Sequence, residues 1–434
     1  MGDGQTYREL GEAAWAWVLG QVRGDDGPWL PDSVTDAPPA GPAGDRDSLY
    51  AGIAGLAPVL VEIEQHRPLT VTERALADGI VDRLAAQVPS RAEASLYDGL
   101  GGDVTALRLL APGREAAALA RLAELATPAG WVSTLGAEPD WSGCYTDLVM
   151  GTAGVVMAAA WAGGTDVLTT GGEALLRAAE PAEVGLDWRM RPGYRSSTPN
   201  YSHGTAGAAA ALAVAGATLG RDDFVDAARR GAEHLLSVAS LDDGGFVVEH
   251  TIPRSTREVE PVTYNWCHGP AGTSHLFAAL AHAGVEEVGG HPVGELRSRC
   301  LRSVLASGLP ARLRPGFWDN DGRCCGTAGV GDVLLDAAQD GPAFEPLLVA
   351  ARTMGDALVS RAVRDDEGAR WRFVEYRQEQ PLLPPGTSWM QGAAGIAAFL
   401  LRLARVTETG PPARVVDRPD QWWAVPSAVR AVRP

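Results

Sequence analysis

Two kinds of helical segment alternate along the chain. Alanine-rich runs such as residues 208–217 are apolar on almost every side, which predicts buried helices. Residues 222–240 carry apolar side chains at helical spacing on one side and charges on the other, which predicts a half-exposed helix. Residues 72–84, 114–125 and 347–359 follow this second pattern. Because the sequence shows no sustained alternation with a period of two, we expect few strands.

A short motif, Gly-x-x-Gly followed by an apolar run, recurs along the chain. It occurs seven times, with first glycines separated by 47, 52, 53, 65, 57 and 66 residues. These first glycines are Gly52, Gly99, Gly151, Gly204, Gly269, Gly326 and Gly392. A helix pair too small to bury its own apolar face must share a core with its neighbours. The sequence therefore predicts an all-α fold, an α/α toroid in which seven inner helices are enclosed by seven outer helices.

An open superhelical solenoid is the second-ranked fold. It would expose one side of each inner helix, and no polar stripe marks such a side. The glycines are expected at the starts of inner helices, where they permit tight turns and close backbone approach. We expect residues 1–434 to form a single domain. Residues 24–47 are interpreted as a Pro/Gly-rich loop, and residues 410–434 as an irregular tail that packs outside the ring or contacts a peptide.

Composition excludes several kinds of chemistry. The 434 residues carry a net charge of −17, and all 37 basic residues are arginine. A chain without lysine cannot use a Schiff base or a lysine-dependent phosphate loop, and an acidic chain is a poor nucleic-acid binder. Five cysteines do not suit a disulfide framework and favour a reducing compartment, so we expect a cytoplasmic protein. The sequence contains no apolar run of about 18 residues, so we expect no membrane-spanning helix.

Residues just before each first glycine meet at one end of a closed ring, which we call the mouth. The two residues that precede each first glycine are the mouth positions. Immediately before the glycine stand, in chain order, Ala51, Asp98, Met150, His203, His268, Cys325 and Gln391. One residue earlier stand Tyr50, Tyr97, Val149, Ser202, Cys267, Cys324 and Met390. Three of the five cysteines and two of the eight histidines thus fall in consecutive repeats and are expected side by side.

The three mouth cysteines predict a metal site. Cys267, Cys324 and Cys325 would provide three thiolates to zinc and leave a fourth position for water or substrate. Because structural zinc sites usually have four protein ligands, three ligands favour a catalytic site. The competing interpretation is that these cysteines are small buried hydrophobic residues. We assign Cys300 to the core and leave the role of Cys144 open.

Histidine and aspartate near the mouth are candidate acid/base groups. His203 is suited to proton transfer beside a metal, because the unperturbed pKa of histidine is about 6.5. Asp147 lies four residues before its glycine and is expected to orient a histidine or to donate a proton, with a helix cap as the competing interpretation. His268 is an outer-shell group or an alternative ligand, and Asp98 and Asp319 are weaker candidates.

The repeats and two motifs together resemble the lanthionine synthetase C-like family over about residues 48–403. The motifs are Asn265-Trp266-Cys267-His268-Gly269 and Cys324-Cys325-Gly326. The resemblance implies an α/α toroid and a zinc ion held by Cys267, Cys324 and Cys325. The family commonly has histidine at position 325, and a third thiolate is expected to make a bound substrate thiolate more nucleophilic. His203 matches the family's general acid/base, and Asp147 matches its assisting aspartate.

The resemblance implies a zinc-dependent cyclase that forms thioethers. Zinc binds a cysteine thiol of a ribosomal precursor peptide, the thiolate adds to the β-carbon of dehydroalanine or dehydrobutyrine, and His203 protonates the enolate. The implied partners are that peptide, with dehydrated Ser and Thr, and a separate dehydratase of the kinase or lyase type. Nucleic acid and membrane insertion are not expected.

Three rival interpretations differ from the cyclase in substrate or in class. The first adds glutathione or another small thiol to dehydrated protein residues. The second is a non-catalytic peptide-binding scaffold in a maturation complex, which has no need of an open metal site. The third, a carbohydrate-active barrel, needs paired carboxylates at the mouth, where the mouth positions supply only Asp98.

Overall fold

Helices dominate the computed structural model, which describes residues 2–31, 33–34, 45–135, 143–255, 260–311, 320–341, 343–375 and 379–430. Seven inner helices each begin one to five residues after a first glycine: α2 (Ala57–Glu64), α4 (Leu100–Leu110), α6 (Thr152–Ala162), α8 (Thr205–Leu219), α10 (Pro270–His282), α12 (Thr327–Asp340) and α14 (Ala393–Thr409). Seven further helices pack around them: α1 (Gly4–Gln21), α3 (Val71–Gln87), α5 (Ala116–Leu125), α7 (Thr165–Ala178), α9 (Asp222–Val238), α11 (Val293–Ala306) and α13 (Phe344–Arg361).

The inner helices form a closed ring. Each inner helix contacts the next, and α14 contacts α2, which an open solenoid would not allow. The predicted toroid of seven inner and seven outer helices is therefore confirmed. The outer ring closes differently, because α1 precedes the first repeat and packs along α14, the last inner helix. The two ends of the helical chain thus form one helix pair.

Burial follows the two sequence patterns. In α8 every residue from Thr205 to Gly216 is buried, and most of them are alanine or glycine, which lets neighbouring helices approach closely. In α9 the buried residues, among them Phe224, Ala228 and Leu235, repeat at helical spacing on one face. The other face of α9 carries charged side chains. The prediction of buried inner helices and half-exposed outer helices is confirmed.

The glycines of the motif are explained by close backbone contact. A Cβ atom added to Gly272 would lie 1.8 Å from the carbonyl oxygen of Trp266. One added to Gly329 would lie 1.8 Å from the carbonyl oxygen of Arg323. Since both contacts are to backbone, which cannot move aside, any side chain would displace the loop that carries the mouth positions. The glycines thereby hold that loop against the start of the inner helix.

Backbone hydrogen bonds join the loops of successive repeats at the mouth. The earlier mouth position donates its amide to the carbonyl of its equivalent in the next repeat. The bonds run from Ser202 to Cys267 (2.9 Å), Cys267 to Cys324 (3.1 Å), Cys324 to Met390 (2.9 Å), Met390 to Tyr50 (3.2 Å) and Tyr50 to Tyr97 (2.8 Å). Val149 donates in the same way to Ser202 at 3.3 Å. Two of the mouth cysteines are therefore members of a series of backbone hydrogen bonds that runs from Val149 round the mouth to Tyr97.

Strands are few within the described ranges, as expected. Four two-stranded antiparallel ladders occur, all in the connections between helices. They pair β1 (Glu180–Pro181) with β2 (Leu186–Asp187), β3 (Glu287–Val288) with β4 (His291–Pro292), β5 (Val363–Asp365) with β6 (Gly368–Arg370), and β7 (Phe373–Val374) with β8 (Leu382–Leu383). None of the helices in those ranges is both long enough and apolar enough to cross a bilayer.

The C-terminal tail lies inside the ring, and the expectation that it packs outside was wrong. Its described part, residues 411–430, contacts residues from repeats all around the inner ring. Its partners include Tyr97, Trp161, Tyr201, His275, Asp332 and Trp389. Only a segment in the lumen can reach all of these at once. The tail was mistaken for a surface segment because it contains polar residues. Three of these, Arg418, Asp420 and Gln421, are nevertheless buried there.

Candidate metal centre

Cys267, Cys324 and Cys325 come together at the mouth, and we call them the sulfur cluster. Their three sulfur atoms all lie within 4.8 Å of one another, and the Sγ atoms of Cys324 and Cys325 are 3.4 Å apart. Each cysteine is buried, with 3%, 4% and 7% of its surface exposed in chain order. Neighbouring loops bring them there, since Cys267 donates its amide to the carbonyl of Cys324.

This donor set fits zinc. A tetrahedral zinc ion with Zn–S bonds of about 2.3 Å needs sulfurs about 3.8 Å apart. The Cys324–Cys325 separation of 3.4 Å is close to this value, and the other two separations do not exceed 4.8 Å. Three thiolates are soft ligands, which bind zinc in preference to magnesium or calcium. The sulfur cluster could therefore hold zinc and leave one coordination position free.

Charge is unbalanced in the thiolate form of the sulfur cluster. Burial, followed by the proximity of the other two cysteines, raises the pKa of Cys267 well above its ordinary value. In Cys325 a hydrogen bond with Cys267 lowers the pKa, but Cys324 and burial outweigh it, so the net pKa is raised. Like charges in a buried site oppose ionisation, and a bound cation reverses that effect. The thiolate form of this cluster thus calls for a positive ion.

A histidine–aspartate pair lies beside the sulfur cluster. His203 Nδ1 is 2.6 Å from Asp147 Oδ2, and a ring nitrogen of His203 lies within 4.8 Å of Cys267 Sγ. Asp147 is fully buried and accepts a second hydrogen bond from the amide of Met150 at 2.8 Å. His203 keeps 23% of its side chain exposed. Asp147 therefore orients the ring, while His203 reaches both the sulfur of Cys267 and the solvent.

Two further histidines extend this arrangement. The ring of His268 is centred 5.3 Å from that of His203 and 3.8 Å from that of His250. The amide of His268 donates to Asn265 Oδ1 at 2.8 Å, which fixes the turn after Cys267. His250 was missed by the sequence analysis, because it lies in a long connection and not at a mouth position. Nothing in the local sequence around His250 marks it.

The comparison with protein families now bears on this site. A family model described as "Lanthionine synthetase C-like protein" matches residues 44–411. The chain belongs to the lanthionine synthetase C-like family. The match covers every Gly-x-x-Gly unit and both cysteine motifs, so the resemblance drawn from those motifs is confirmed. A comparison with curated proteins gives no match.

Solved structures similar to this lanthionine synthetase C-like protein support the fold. Nisin cyclase is 14% identical with a TM-score of 0.57, covering 82% of this chain and 88% of its own. An unsaturated glucuronyl hydrolase from Bacillus sp. GL1 is 13% identical over 93% of this chain and 97% of its own, with a TM-score of 0.44. Of these two structures, nisin cyclase has the higher TM-score, and its similarity to this chain concerns the toroid alone.

A second buried polar cluster lies below the sulfur cluster in this family member. We call it the lumen ion network; its members are Arg323, Asp332, Asp336, Arg402, Arg418 and Asp420. Asp332 contacts Arg323 at 2.6 Å, Arg402 at 3.0 Å and Arg418 at 3.2 Å. Burial raises the pKa of Asp332, but the three guanidinium groups outweigh it and hold that pKa well below its usual range. Three arginines and three aspartates balance in charge.

The remaining candidates lie elsewhere. Asp98 belongs to an acidic group with Asp45 and Glu93, and burial is the main reason that its pKa is raised to about 6. Cys300 is fully buried in α11, which confirms its assignment to the core. Cys144 is half-buried in a loop and lines a surface cavity of about 260 Å³ with Arg177. Asp319 lies outside the described residues.

Proposed function

We propose that this protein is a zinc-dependent cyclase that forms lanthionine rings. One observation carries the proposal: three cysteine sulfurs suited to zinc lie beside a histidine held by a buried aspartate. Membership of the lanthionine synthetase C-like family agrees with this function. The substrate would be a ribosomal precursor peptide that carries a free cysteine and a dehydroalanine or dehydrobutyrine residue.

The residues present divide the reaction between a metal and a proton donor. Zinc held by Cys267, Cys324 and Cys325 would bind the substrate thiol and lower its pKa. Carbon–sulfur bond formation at the β-carbon leaves an enolate, which needs a proton at the α-carbon. His203 is suited to deliver that proton, since its ring reaches the cluster and its Nδ1 is oriented by Asp147. The thiol proton lost is thereby matched by the carbon proton gained.

The proposed partners rest on the family membership and on the similarity to nisin cyclase. Nisin cyclase, by its name, acts on nisin, and a peptide substrate for this chain is inferred from that similarity together with the family. A separate dehydratase would have to supply the dehydrated residues. The cytoplasmic location stays a prediction.

Zinc analysis of the purified protein and of Cys324→Ala tests the metal proposal. We expect close to one zinc per chain in the wild type and loss of stoichiometric zinc in the variant. Cyclisation of a peptide with one cysteine and one dehydroalanine should fall in parallel. Cys144→Ala, which changes a half-buried cysteine outside the cluster, is the matched control and should keep both zinc and activity. Wild-type protein without zinc would contradict the mechanism.

His203→Asn tests the proton donor separately from the metal. General acid catalysis contributes about 10²–10⁴-fold, so cyclisation should slow by that factor while zinc content stays unchanged. His291→Asn, in β4, is the matched control and should be as active as the wild type. Equal rates for the two variants would remove His203 from the mechanism.

The same assay separates the cyclase from the first two of its three rivals. Glutathione supplied with a dehydroalanine peptide that lacks cysteine tests the small-thiol enzyme. Thioether formation in that mixture, without cyclisation of the cysteine-containing peptide, would favour the small-thiol activity. Peptide binding without either reaction, in a zinc-free protein, would favour a scaffold.

A further inference from the structure

Each sulfur of the sulfur cluster faces a hydrogen-bonding side chain from another repeat. The pairs are Ser202 Oγ with Cys267 Sγ at 2.9 Å, the Tyr50 hydroxyl with Cys324, and Gln391 Nε2 with Cys325 Sγ at 3.8 Å. We call Ser202, Tyr50 and Gln391 the hydrogen-bond donors of the cluster, or the donors for short. All three occupy mouth positions, so the loop geometry that gathers the cysteines also gathers the donors.

The donors are arranged so that each has a hydrogen to give. Gln391 Nε2 carries two hydrogens, and it reaches the Tyr50 hydroxyl at 2.9 Å as well as the sulfur of Cys325. Since Tyr50 accepts that bond on its oxygen, its own hydrogen is left for Cys324. Ser202 is fully buried, and its amide is bound to the carbonyl of Cys267, the residue whose sulfur its hydroxyl contacts.

Such contacts have a defined effect on thiolate ligands. Three thiolates around a divalent cation carry one negative charge in excess, in a site from which water is largely excluded. A hydrogen bond to the charged form of a group stabilises that form, and outer-shell partners of this kind tune the ligands of a metal. Three donors spread over three sulfurs would offset the excess charge without adding a cationic side chain.

We propose that Ser202, Tyr50 and Gln391 are positioning residues that set the electron density on the cysteine sulfurs of the metal centre. They would thereby raise the affinity of the cluster for its metal. They would also control how strongly the metal acidifies a substrate thiol. This inference rests on the proposed function in one respect only, namely that the sulfur cluster binds a metal.

The cobalt-substituted protein provides the test, because sulfur-to-cobalt charge-transfer bands report electron density on the sulfurs. Removing a donor should move these bands to longer wavelength in Tyr50→Phe and in Gln391→Leu. Zinc affinity, measured by competition with a chelating dye, should fall by about 10–100-fold in each. Tyr97→Phe is the matched control: Tyr97 holds the same mouth position in the next repeat, but its hydroxyl lies 3.3 Å from Asp420. Its bands should not move.

Ser202, which lies in another repeat, provides an independent test of the same effect. Ser202→Ala should shift the bands in the same direction, and Ser202→Thr, which keeps the hydroxyl, should restore them. Wild-type protein that binds neither cobalt nor zinc would refute the metal centre itself. Wild-type protein that binds cobalt, with unchanged bands and affinity in all three donor variants, would overturn this inference and leave the proposed function intact.

Discussion

Two buried polar clusters lie one above the other in the ring, and they differ in how their charges are compensated. In the lumen ion network, three arginines meet three aspartates, and the pKa of Asp332 is held low. In the sulfur cluster, three cysteines meet one another, and the pKa values of Cys267 and Cys325 are raised. The first cluster is balanced in charge as it stands, whereas the second would need an added cation to hold its cysteines as thiolates. Charge balance thus distinguishes the lumen ion network, whose charges compensate one another, from the proposed metal site.

Removing a partner from the balanced cluster should have the largest effect on stability. Asp332→Ala leaves Arg323, Arg402 and Arg418 without their shared carboxylate, and breaking such a buried pair costs about 3–5 kcal/mol. Denaturant unfolding measures this. Asp223→Ala, which removes an exposed partner of Arg221, should cost no more than about 1 kcal/mol. Similar losses in both variants would mean that the network contributes little.

The unbalanced cluster should gain stability from its cation. Zinc at about 100 times its Kd should raise the free energy of unfolding by about 2.7 kcal/mol, if it binds only the folded chain. The increment should disappear in Cys324→Ala and persist in Cys144→Ala. An equal increment in all three proteins, measured by denaturation with and without zinc, would place the metal elsewhere.

A third buried site, around Asp103, tests whether compensation by arginine sets the pKa of a buried aspartate. Asp103 is fully buried with Arg91 as its partner at 3.3 Å, and burial raises its pKa to about 7. The unfolded value is about 3.9, so the folded chain binds the extra proton between about pH 4 and pH 7. The stability that this proton provides is complete below that window and lost as the pH rises through it.

Asp103→Asn, which stays neutral, should therefore gain stability relative to the wild type as the pH rises. The gain at pH 8 should exceed that at pH 5 by on the order of 2 kcal/mol. Asp78→Asn, on the exposed face of α3, should show the same difference from the wild type at both values. A pH-independent effect of Asp103→Asn would show that Asp103 is charged throughout.

The variant with the smallest expected loss of stability tests whether the lumen ion network and the sulfur cluster act separately. Tyr201→Phe removes one hydrogen bond of 2.9 Å, from the hydroxyl to the carbonyl of Asp420 in the tail. It should cost about 1 kcal/mol of stability and leave zinc affinity unchanged. Isothermal titration with zinc provides the check. A tenfold loss of affinity would mean that the lumen contributes to the metal centre.

The sequence was most informative where backbone spacing decides the structure. The glycine register brought Cys267, Cys324 and Cys325 to one end of the ring, because a closed repeat places equivalent residues side by side. The same register contained Gln391, in the repeat next to that of Cys325, and Tyr50, whose approach to Cys324 depends on the first and last repeats meeting. Side-chain direction there could not be obtained from spacing.

Other features had no periodic signal. The helix α1 pairs with α14 across nearly the whole length of the chain, and its sequence carries no Gly-x-x-Gly unit to place it. The tail was expected outside the ring because polar residues such as Arg418 and Asp420 usually favour solvent. Their burial depends on countercharges from distant repeats, which become neighbours only in the folded chain.

The filled lumen has a topological consequence for a peptide substrate. Since residues 411–430 occupy the centre of the ring, the toroid is not a channel, and no chain can thread through it. Under the proposed function, a peptide would therefore enter and leave by the same mouth. A loop in the middle of a long precursor, or a segment already closed into a ring, would then reach the sulfur cluster without needing a free end.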